Sequence, residues 1–568
     1  MARAARKAAE RFAPHGSVVV VGCARSCAPH LDQVLNNIDR LCSLYADSAV
    51  VIFENDSTDD TASRLAAYVA SRPKAHLLTQ NGLAAALPDR TKRLAAARNA
   101  CLEFVRRAPY HSYDELLVID FDEVNQLDID LGQFTSARAY LQSRADLHGV
   151  FANAQPFYYD IWALRHADWS PGDCLVEFHA NAAARPDAFQ EFVHRRTMPL
   201  DPTAAPIDVR SAFGGLGLYR MRSALAGTYE DPTPAGGIGQ CEHVRFHETI
   251  LAAKGGTFAI YPALVNRTPW EHVLAVFAGR LRPVALTEGG ATIKLTVPAG
   301  YPRTFLRRQF PLYQKRFPVL ARLLAEARPG ANILDAGAEM GDMIALCRLA
   351  GCGAPITAVE PSLNLFKLLM LNLERCPLGA VHPVWAFAGG EQVEALIEAR
   401  KARALVERSE ALMLGAWMDR APITSLADLA PGAALVRLNV AGFETAMLDD
   451  SLEAFGDAPP LVWMRATSDA SAGDAAWRAR IEAMAARWPR LAAFDNSGLC
   501  LLAGEAADQA AACATLISLA RRYRSAARAV PYTDVPLRDI EIAFFPEPSG
   551  AVFDAFCAQL PELDPTVA

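Results

Sequence analysis

Apolar runs alternate with helical patterns through the first part of the chain. Residues 18–21, 49–53 and 116–119 are continuous apolar runs rich in β-branched side chains, and such runs predict buried strands. Residues 91–108 have the pattern of a helix instead. Strands that alternate with helices are typical of a mostly parallel sheet with right-handed crossovers. The pattern therefore predicts an α/β domain.

A second alternation begins near residue 331. Residues 331–350 predict a strand, a glycine loop and a helix, and the next strand ends in an acidic residue. The stretch before it mixes proline, arginine and aromatic residues, which predicts a helical linker. The predicted organisation is a basic N-terminal segment (1–15), a first domain (16–290), a helical linker (291–325), a second domain (326–503) and a helical C-terminal tail (504–568).

Length and composition agree with two domains. The chain has 568 residues, more than one hydrophobic core normally supports. Its net charge of -7 and its lack of Lys/Arg blocks argue against nucleic acid as a partner. The 12 cysteines are scattered without a C-x-x-C pair, which suits reduced thiols in a cytoplasmic protein. No stretch reaches the roughly 18 apolar residues of a transmembrane helix, so we expect at most peripheral membrane contact through the basic N-terminal segment. The oligomeric state stays open.

The apolar run 116–119 leads into two carboxylates, Asp120 and Asp122. Ligands of open α/β sheets bind outside the carboxyl ends of the strands, so the pair falls where a ligand is expected. Hard divalent cations prefer oxygen ligands, which makes the pair a candidate site for Mn²⁺ or Mg²⁺. The alternative is a chance Asp-x-Asp triplet, such as Asp128 and Asp130 in a polar connection.

Other candidate side chains lie near predicted strand ends. Arg25 and Asp56 follow the first two strands, and Arg98 lies on the helix before the carboxylate pair, which favours one shared site. Asp160 lies among aromatic residues, and this combination suits a carbohydrate acceptor, although an ordinary packed core is the alternative. Gly215 lies in a glycine-rich stretch that fits either a backbone close to a ligand or a tight turn.

Residues 241–250 place Glu242, His243 and His247 on a predicted helix. Because the two histidines are four residues apart, both would face one side, yet the spacing is not that of a zinc protease. One imidazole joining the two carboxylates would complete a site for Mn²⁺ or Mg²⁺, and His247 is the candidate.

The motifs of the first half, taken in order, resemble the cryptococcal-type α-1,3-mannosyltransferase family, which has the glycosyltransferase A fold. The resemblance spans roughly residues 16 to 275 and rests on VVGCAR, FENDSTDDT, KRLAAARN, LLVIDFDEVN, FYYDIWALR, SAFGGLGLYR and CEHVRFH. It implies transfer from a nucleotide sugar, with GDP-mannose as the expected donor, to a glycan acceptor in surface polysaccharide synthesis. It also implies retention of the anomeric configuration, which no residue by itself demonstrates. Another nucleotide sugar, or an inverting reaction, is the alternative.

The same resemblance assigns roles to residues. It implies a metal at Asp122 and Asp120, with His247 as the late metal ligand. Asp120 is also a candidate for binding the donor, and whether it touches the metal directly or the ribose of the donor stays open. It places Arg25 and Asp56 near the nucleotide, while Arg98 would contact the diphosphate.

Three acidic residues are expected to take part in catalysis, and one glycine in donor binding. Asp122 would act through the metal, Glu242 would position the acceptor or stabilise an oxocarbenium-like centre, and Asp160 would bind acceptor hydroxyls. Gly215 would lie against the nucleotide sugar.

The second half resembles the FkbM-type methyltransferases over roughly residues 325 to 503. The glycine loop reads D-x-G-A-x-x-G-D rather than G-x-G-x-x-G, which favours S-adenosylmethionine over NAD. On this resemblance Asp335, Gly337, Gly341 and Glu360 would contact the cofactor. The two resemblances together predict an α/β protein with two Rossmann-like domains. The first has a glycosyltransferase A-type mixed sheet, and the second has a class I methyltransferase-like sheet followed by the helical tail.

One departure from the second family concerns the methyl-acceptor site. Where the family usually has I-D-V-E-G, this chain has Leu438, Asn439, Val440, Ala441 and Gly442. Asn439 is the candidate acceptor-site residue, but an amide cannot act as a base. The second domain is therefore either an active O-methyltransferase or a fold retained for binding or assembly.

Overall fold

The computed structural model shows a chain that divides into two compact units, Met1–Val276 and Phe277–Ala568. It describes residues 14–183, 188–234, 237–277, 279–299, 301, 303–397, 421–440, 442–451, 455, 459–466, 474–526 and 540–560. Most of the basic N-terminal segment therefore lies outside the described residues, as does Ala441. Each unit contains one eight-stranded sheet, which confirms the prediction of a mixed α/β protein with two large sheets.

Eight strands form the sheet of the first unit. They are β1 (Ser17–Ala24), β2 (Asp47–Glu54), β3 (Ala75–Thr79), β4 (Glu115–Ile119), β5 (Leu147–Gln155), β6 (Ile207–Val209), β7 (Leu216–Arg220) and β8 (Thr257–Arg267). Their spatial order is β3-β2-β1-β4-β7-β5-β8-β6. The first four strands are mutually parallel, whereas β7 runs antiparallel between β4 and β5. The sheet is thus mixed, and its parallel part follows the alternation of the sequence.

Helices cover both faces of this sheet. Those of the first unit are Ala28–Cys42, Thr61–Ala70, Leu83–Ala86, Arg90–Val105, Leu131–Ser143, Cys174–Asn181, Ala188–Phe192, Met221–Ala224, Glu242–Lys254 and Trp270–Leu274. Because successive strand residues point to opposite faces, β1 contributes to two separate cores. Val19 belongs to the cluster that contains Cys101, and Val18 belongs to the cluster that contains Leu31.

The strand order determines where a ligand can bind. The chain proceeds from β1 to β2 on one side and later returns to the other side of β1 as β4. The connections that follow β1 and β4 therefore diverge, and such a switch point is where open α/β sheets bind ligands. Arg25 follows β1 directly and Asp120 follows β4 directly.

The second unit begins with a hairpin and continues into its own large sheet. The hairpin strands are β9 (Leu281–Glu288) and β10 (Ala291–Pro298). The remaining strands are β11 (Ile333–Ala336), β12 (Ile356–Val359), β13 (Val381–Val384), β14 (Phe387–Ala388), β15 (Ile423–Thr424), β16 (Leu435–Leu438), β17 (Leu461–Arg465), β18 (Arg490–Asp495), β19 (Cys500–Glu505) and β20 (Ile540–Phe545). The large sheet has the order β13-β12-β11-β16-β17-β20-β18-β19, and β14 pairs with β15 separately.

Two segments predicted to be helical are only partly so. The predicted linker, residues 291–325, starts with the strand β10, and the predicted tail, residues 504–568, supplies β20. β20 is antiparallel to both of its neighbours, β17 and β18, and its IEIAFF sequence is buried between them. The helices of this unit are Arg303–Gln309, Arg316–Ala327, Asp342–Leu349, Leu363–Arg375, Leu426–Leu429, Glu444–Ser451, Asp474–Ala485, Ala506–Ala526 and Gly550–Cys557. None of the helices described in either unit is long and apolar enough to cross a membrane.

Candidate active site

A hydrogen-bonded turn fixes the two carboxylates at the end of β4. The Asp120 amide donates to the Gly215 carbonyl at 3.0 Å, and the Asn125 side-chain amide donates to the carbonyls of Asp120 and Gly215 at 2.9 and 3.0 Å. Gly215 has φ +80°, and a Cβ added there would lie 2.5 Å from Val124 Cγ1. The glycine is therefore required for the close approach that shapes this turn. Its predicted contact with the donor stays a prediction.

Asp120 is held by a buried arginine. Arg98 donates from Nη2 to Asp120 Oδ1 and from Nε to Glu242 Oε1, both at 2.9 Å. The remaining nitrogen of its guanidinium group, Nη1, is buried and has no hydrogen-bond partner among the described residues. The structure thus brings together three of the predicted site residues and leaves one guanidinium donor unused.

Asp122 lies on the same turn without such a cation. Its Oδ1 accepts a hydrogen bond from the Val124 amide at 3.2 Å. Asp122 thereby caps the start of a 3-10 turn over Glu123–Asn125. Asp122 is exposed toward the cavity that it lines, and the surrounding protein still removes part of the water around its carboxylate. Burial and the neighbouring Asp120 raise the pKa of Asp122 to about 7.

The carboxylates line a cavity of about 600 Å³. Arg25, Arg90 and Arg93 line it as well, and none of the three forms an ion pair within the described part of the chain. Burial and the charges of Arg25 and Arg90 lower the pKa of Arg93, because the three cations are close enough to repel one another. One cavity therefore presents a carboxylate, Asp122, and three guanidinium groups that form no ion pair with one another or with other described residues.

Aromatic and acidic side chains line the same cavity. The Tyr159 ring is stacked on His272 with centroids 5.5 Å apart, and the Trp162 indole Nε1 is buried without a described hydrogen-bond partner. Asp160 Oδ2 accepts a hydrogen bond from the Gly214 amide at 2.9 Å. Burial raises the pKa of Asp160 to about 6. The aromatic and carboxylate groups predicted for a carbohydrate acceptor are thus present together.

His247 does not join the carboxylates. It is fully buried, and its Nδ1 and Nε2 lie 2.8 Å from Ser211 Oγ and 2.9 Å from Tyr219 Oη. Both ring nitrogens are therefore used within the core, and the predicted role as metal ligand has no geometric basis. His243, one helical turn earlier, lines the cavity instead. The sequence indicated that both histidines share a side, but it did not show which one reaches the site.

Asp56 is not among the residues that line the cavity, and its place near the nucleotide stays a prediction. Its carboxylate accepts hydrogen bonds from the amides of Gly82 and Ala84 at 2.5 and 2.8 Å. Hydrogen bonds from Asn55 and from these two amides lower the pKa of Asp56. Asp56 thus organises a loop, while its neighbour Asn55 lines the cavity. The sequence interpretation missed Arg90, whose spacing of three residues from Arg93 puts both on one side of the first helical turn.

The two carboxylates fit a hard divalent cation that is also coordinated by a substrate. Asp120 and Asp122 supply oxygen ligands, and burial together with the neighbouring charge of Asp120 raises the pKa of Asp122, a cost that a bound cation would offset. Across the described ranges, no group of three or more His, Cys, Asp and Glu side chains is placed to hold a metal ion. Two carboxylates completed by phosphate oxygens and water are a usual arrangement for Mg²⁺.

The second unit has its own polar groups at the carboxyl ends of β11, β12 and β16. Arg437 donates to Asp335 Oδ1 at 2.6 Å, while Asp335 Oδ2 and both side-chain polar atoms of Asn439 are buried without a described partner. Both oxygens of Glu360 accept backbone amides at 2.8 Å, and burial raises the pKa of Glu360 to about 8.

Two glycines shape the loop after β11. Gly337 has φ +90°, and an added Cβ would lie 2.2 Å from the Asn439 carbonyl oxygen. Gly341 precedes the helix Asp342–Leu349. The structure therefore brings the predicted cofactor residues to one sheet edge, although Glu360 and one oxygen of Asp335 are engaged by the protein itself.

No protein family matches the sequence, and no curated protein matches it. Solved structures do match. The mannosyltransferase PcManGT from Pyrobaculum calidifontis, in complex with GDP-Man and Mn²⁺, is 14% identical, with 73% of this chain and 91% of that chain covered and a TM-score of 0.27. Residues 1–349 of S. aureus TarS are 10% identical, with 46% and 63% covered and a TM-score of 0.28. Glucosyl-3-phosphoglycerate synthase from Mycobacterium tuberculosis is 15% identical, with 44% and 69% covered and a TM-score of 0.23.

Proposed function

We propose that the first unit transfers a glycosyl group from a nucleoside diphosphate sugar, with a divalent metal at Asp120 and Asp122. One observation carries the proposal: a single cavity joins this carboxylate pair to three arginines, Arg25, Arg90 and Arg93, none of which forms an ion pair at contact distance in the described residues. A metal-bound diphosphate offers a cation to the carboxylates and phosphate oxygens to the guanidinium groups. The two sets of charges are therefore complementary to the same ligand.

The protein's own residues have distinct tasks in this reaction. Arg98 fixes Asp120, and Arg25, Arg90 and Arg93 stabilise the negative charge that develops on the departing diphosphate. A bound Mn²⁺ or Mg²⁺ would supply Lewis-acid stabilisation of the same charge. Because the arginines are already in place, little reorganisation is needed when the bond to the sugar breaks.

Asp160 and Glu242 are our candidates for orienting the acceptor. Both line the cavity, and the charge of Glu242 contributes to the raised pKa of Asp160. A carboxylate with a pKa of about 6 accepts a proton from a hydroxyl more readily than an ordinary aspartate does. From the family resemblance we further propose GDP-mannose as the donor, an α-1,3-like linkage formed with retention, and a surface glycan as the acceptor.

A panel of nucleotide sugars with Mn²⁺ tests this function, with nucleotide release as the readout. We expect release from GDP-mannose, and we expect Asp122→Asn to abolish it because the amide removes a charged metal ligand. Asp128→Asn is the matched control, since Asp128 belongs to the other Asp-x-Asp triplet and is exposed. Absence of release from every donor, or full activity of Asp122→Asn, would contradict the proposal.

A second candidate function concerns the second unit. Its sheet order reverses between β11 and β16, so its ligand crevice is expected beside Gly337 and Asn439. The unpartnered atoms of Asn439 and Asp335 Oδ2 lie at these strand ends, and we propose that they receive S-adenosylmethionine. The cofactor would supply an electrophilic methyl group. Calorimetry should detect binding to the wild type and weaker binding to Asn439→Ala, whereas no heat from the wild type would remove the proposal.

A further inference from the structure

His243 has an unusual environment for a buried histidine. It is the second residue of the helix Glu242–Lys254, it is 2% exposed, and it lines the cavity of the first unit. Its ring is stacked on Phe213 with centroids 3.8 Å apart and an interplanar angle of 21°, and the Tyr229 ring meets it edge-on at 5.4 Å. The two aromatic rings therefore fix the orientation of the imidazole.

Neither ring nitrogen of His243 has a hydrogen-bond partner among the described residues. Leaving a buried polar group unpaired is costly, so such groups in folded proteins call for an explanation. Two further unpaired donors, Arg98 Nη1 and Trp162 Nε1, belong to residues that line the same cavity. Their shared location indicates that a bound ligand supplies the missing partners.

The chemistry of His243 restricts what this ligand group can be. Burial and the charge of Arg98 lower the pKa of His243 well below its usual range, so the ring is neutral. The charge of His247 lowers this pKa as well, and Glu242 is a nearby acidic group, with its Oε1 3.9 Å from His243 Nε2. A neutral imidazole offers one donor and one acceptor in either tautomer. A hydroxyl group can pair with both ring nitrogens, because it both donates and accepts hydrogen bonds, whereas a phosphate oxygen can only accept a hydrogen bond.

A metal ion fits His243 less well than a hydroxyl group does. In the described part of the chain His243 does not form a three-residue metal cluster with Asp120 and Asp122. It is nevertheless close to the carboxylates, because Glu242 precedes it and is bridged to Asp120 by Arg98. The sugar of a donor is bonded to the diphosphate, so it must lie next to the group that binds there.

We infer that His243 is a specificity-determining residue that hydrogen-bonds hydroxyl groups of the transferred sugar. The inference rests on the proposed function of the first unit. It adds a residue that recognises the sugar itself, separate from the carboxylates and arginines that recognise the metal and the diphosphate. Trp162 Nε1 and Arg98 Nη1 are further donors available to the same ligand.

The test compares GDP with GDP-mannose, both with Mn²⁺, on the wild type, His243→Ala and His243→Gln. His243→Ala should bind GDP within about twofold of the wild type but lose about tenfold or more in affinity for GDP-mannose, because only the sugar contact is removed. His243→Gln keeps a donor and an acceptor and should recover part of the loss. GDP binding serves as the folding control in each variant.

Deoxy-mannose analogues of the donor locate the contact. The wild type should discriminate against the analogue that lacks the contacted hydroxyl, and His243→Ala should lose that discrimination. Equal losses for GDP and GDP-mannose in both variants, or unchanged discrimination, would overturn the inference. Failure of the proposed function would instead be visible in the wild type, which would then not bind GDP in the presence of Mn²⁺.

Discussion

Arg98 lies 2.9 Å from Asp120 and gives that carboxylate a buried cation, while none of the described ion pairs includes Asp122. The two aspartates are thus different although they are one residue apart. Asp120 is anchored from the helix Arg90–Val105, whereas Asp122 forms no described ion pair and feels only the more distant charge of Arg90. This difference makes Asp122 the first candidate for direct metal contact.

Replacing Arg98 or Arg25 should separate support of the fold from binding of the donor. Arg98→Met should destabilise the protein by about 3 kcal/mol or more, because it leaves Asp120 and Glu242 without their shared buried cation. Arg25→Met removes an exposed side chain and should change stability by no more than about 0.5 kcal/mol. It should nevertheless weaken GDP binding. Urea denaturation and GDP titration of both variants check this, and equal stability losses would contradict the assignment.

Gly337 should tolerate no side chain. Gly337→Ala should strongly destabilise the second unit, because its Cβ would lie 2.2 Å from a backbone oxygen at φ +90°. Gly353→Ala is the matched control, since no atom lies within 4 Å of the Cβ position there. Thermal unfolding should show a large decrease in Tm for the first variant and almost none for the second. A similar decrease in Tm for both variants would contradict this expectation and would mean that the loop relaxes freely. Because Gly337→Ala is expected to destabilise the second unit, the test of cofactor binding uses Asn439→Ala instead.

Glu360 should make stability depend on pH. Its folded-state pKa of about 8 lies above the ordinary glutamate value, so the folded protein holds a proton that the unfolded chain releases. Stability should therefore decrease as the pH rises from about 4.5 to 8 and then level off with respect to this group. Glu360→Gln should show a smaller decrease over this range.

Melting curves of wild type and Glu360→Gln at pH 5.5 and pH 8.5 measure the effect. The informative quantity is the change in Tm between the two pH values, because the loss of one backbone hydrogen bond lowers the Tm of Glu360→Gln at both. An identical pH dependence of the two proteins would contradict a raised pKa for Glu360.

Much of the fold was predictable because buried parallel strands are continuous apolar runs. The run before Asp120 became β4, and the carboxylates follow it as expected. β20 was missed because its position depends on pairing with β17 and β18, which lie far away in the sequence. A short apolar run close to the end of a chain does not specify such partners.

The candidate site was predictable to a similar extent. Local pattern placed His243 and His247 on one helix, but side chains from elsewhere in the chain decide which one faces the cavity. Ser211 and Tyr219 hydrogen-bond to His247 and retain it in the core. The hydrogen bonds that Asp56 accepts from the amides of Gly82 and Ala84 were likewise invisible in the sequence pattern, because those residues lie 26 and 28 positions further along the chain.

The most direct test of the central claim is a calorimetric titration of GDP into the 568-residue protein, with Mn²⁺ or with EDTA. We predict binding in Mn²⁺ that is weakened at least about tenfold by EDTA and by Asp122→Asn, because the carboxylates and the diphosphate meet through the cation. Asp128→Asn should behave like the wild type. GDP binding that is equally tight with and without the metal, and unchanged in Asp122→Asn, would contradict a metal-diphosphate site at the end of β4.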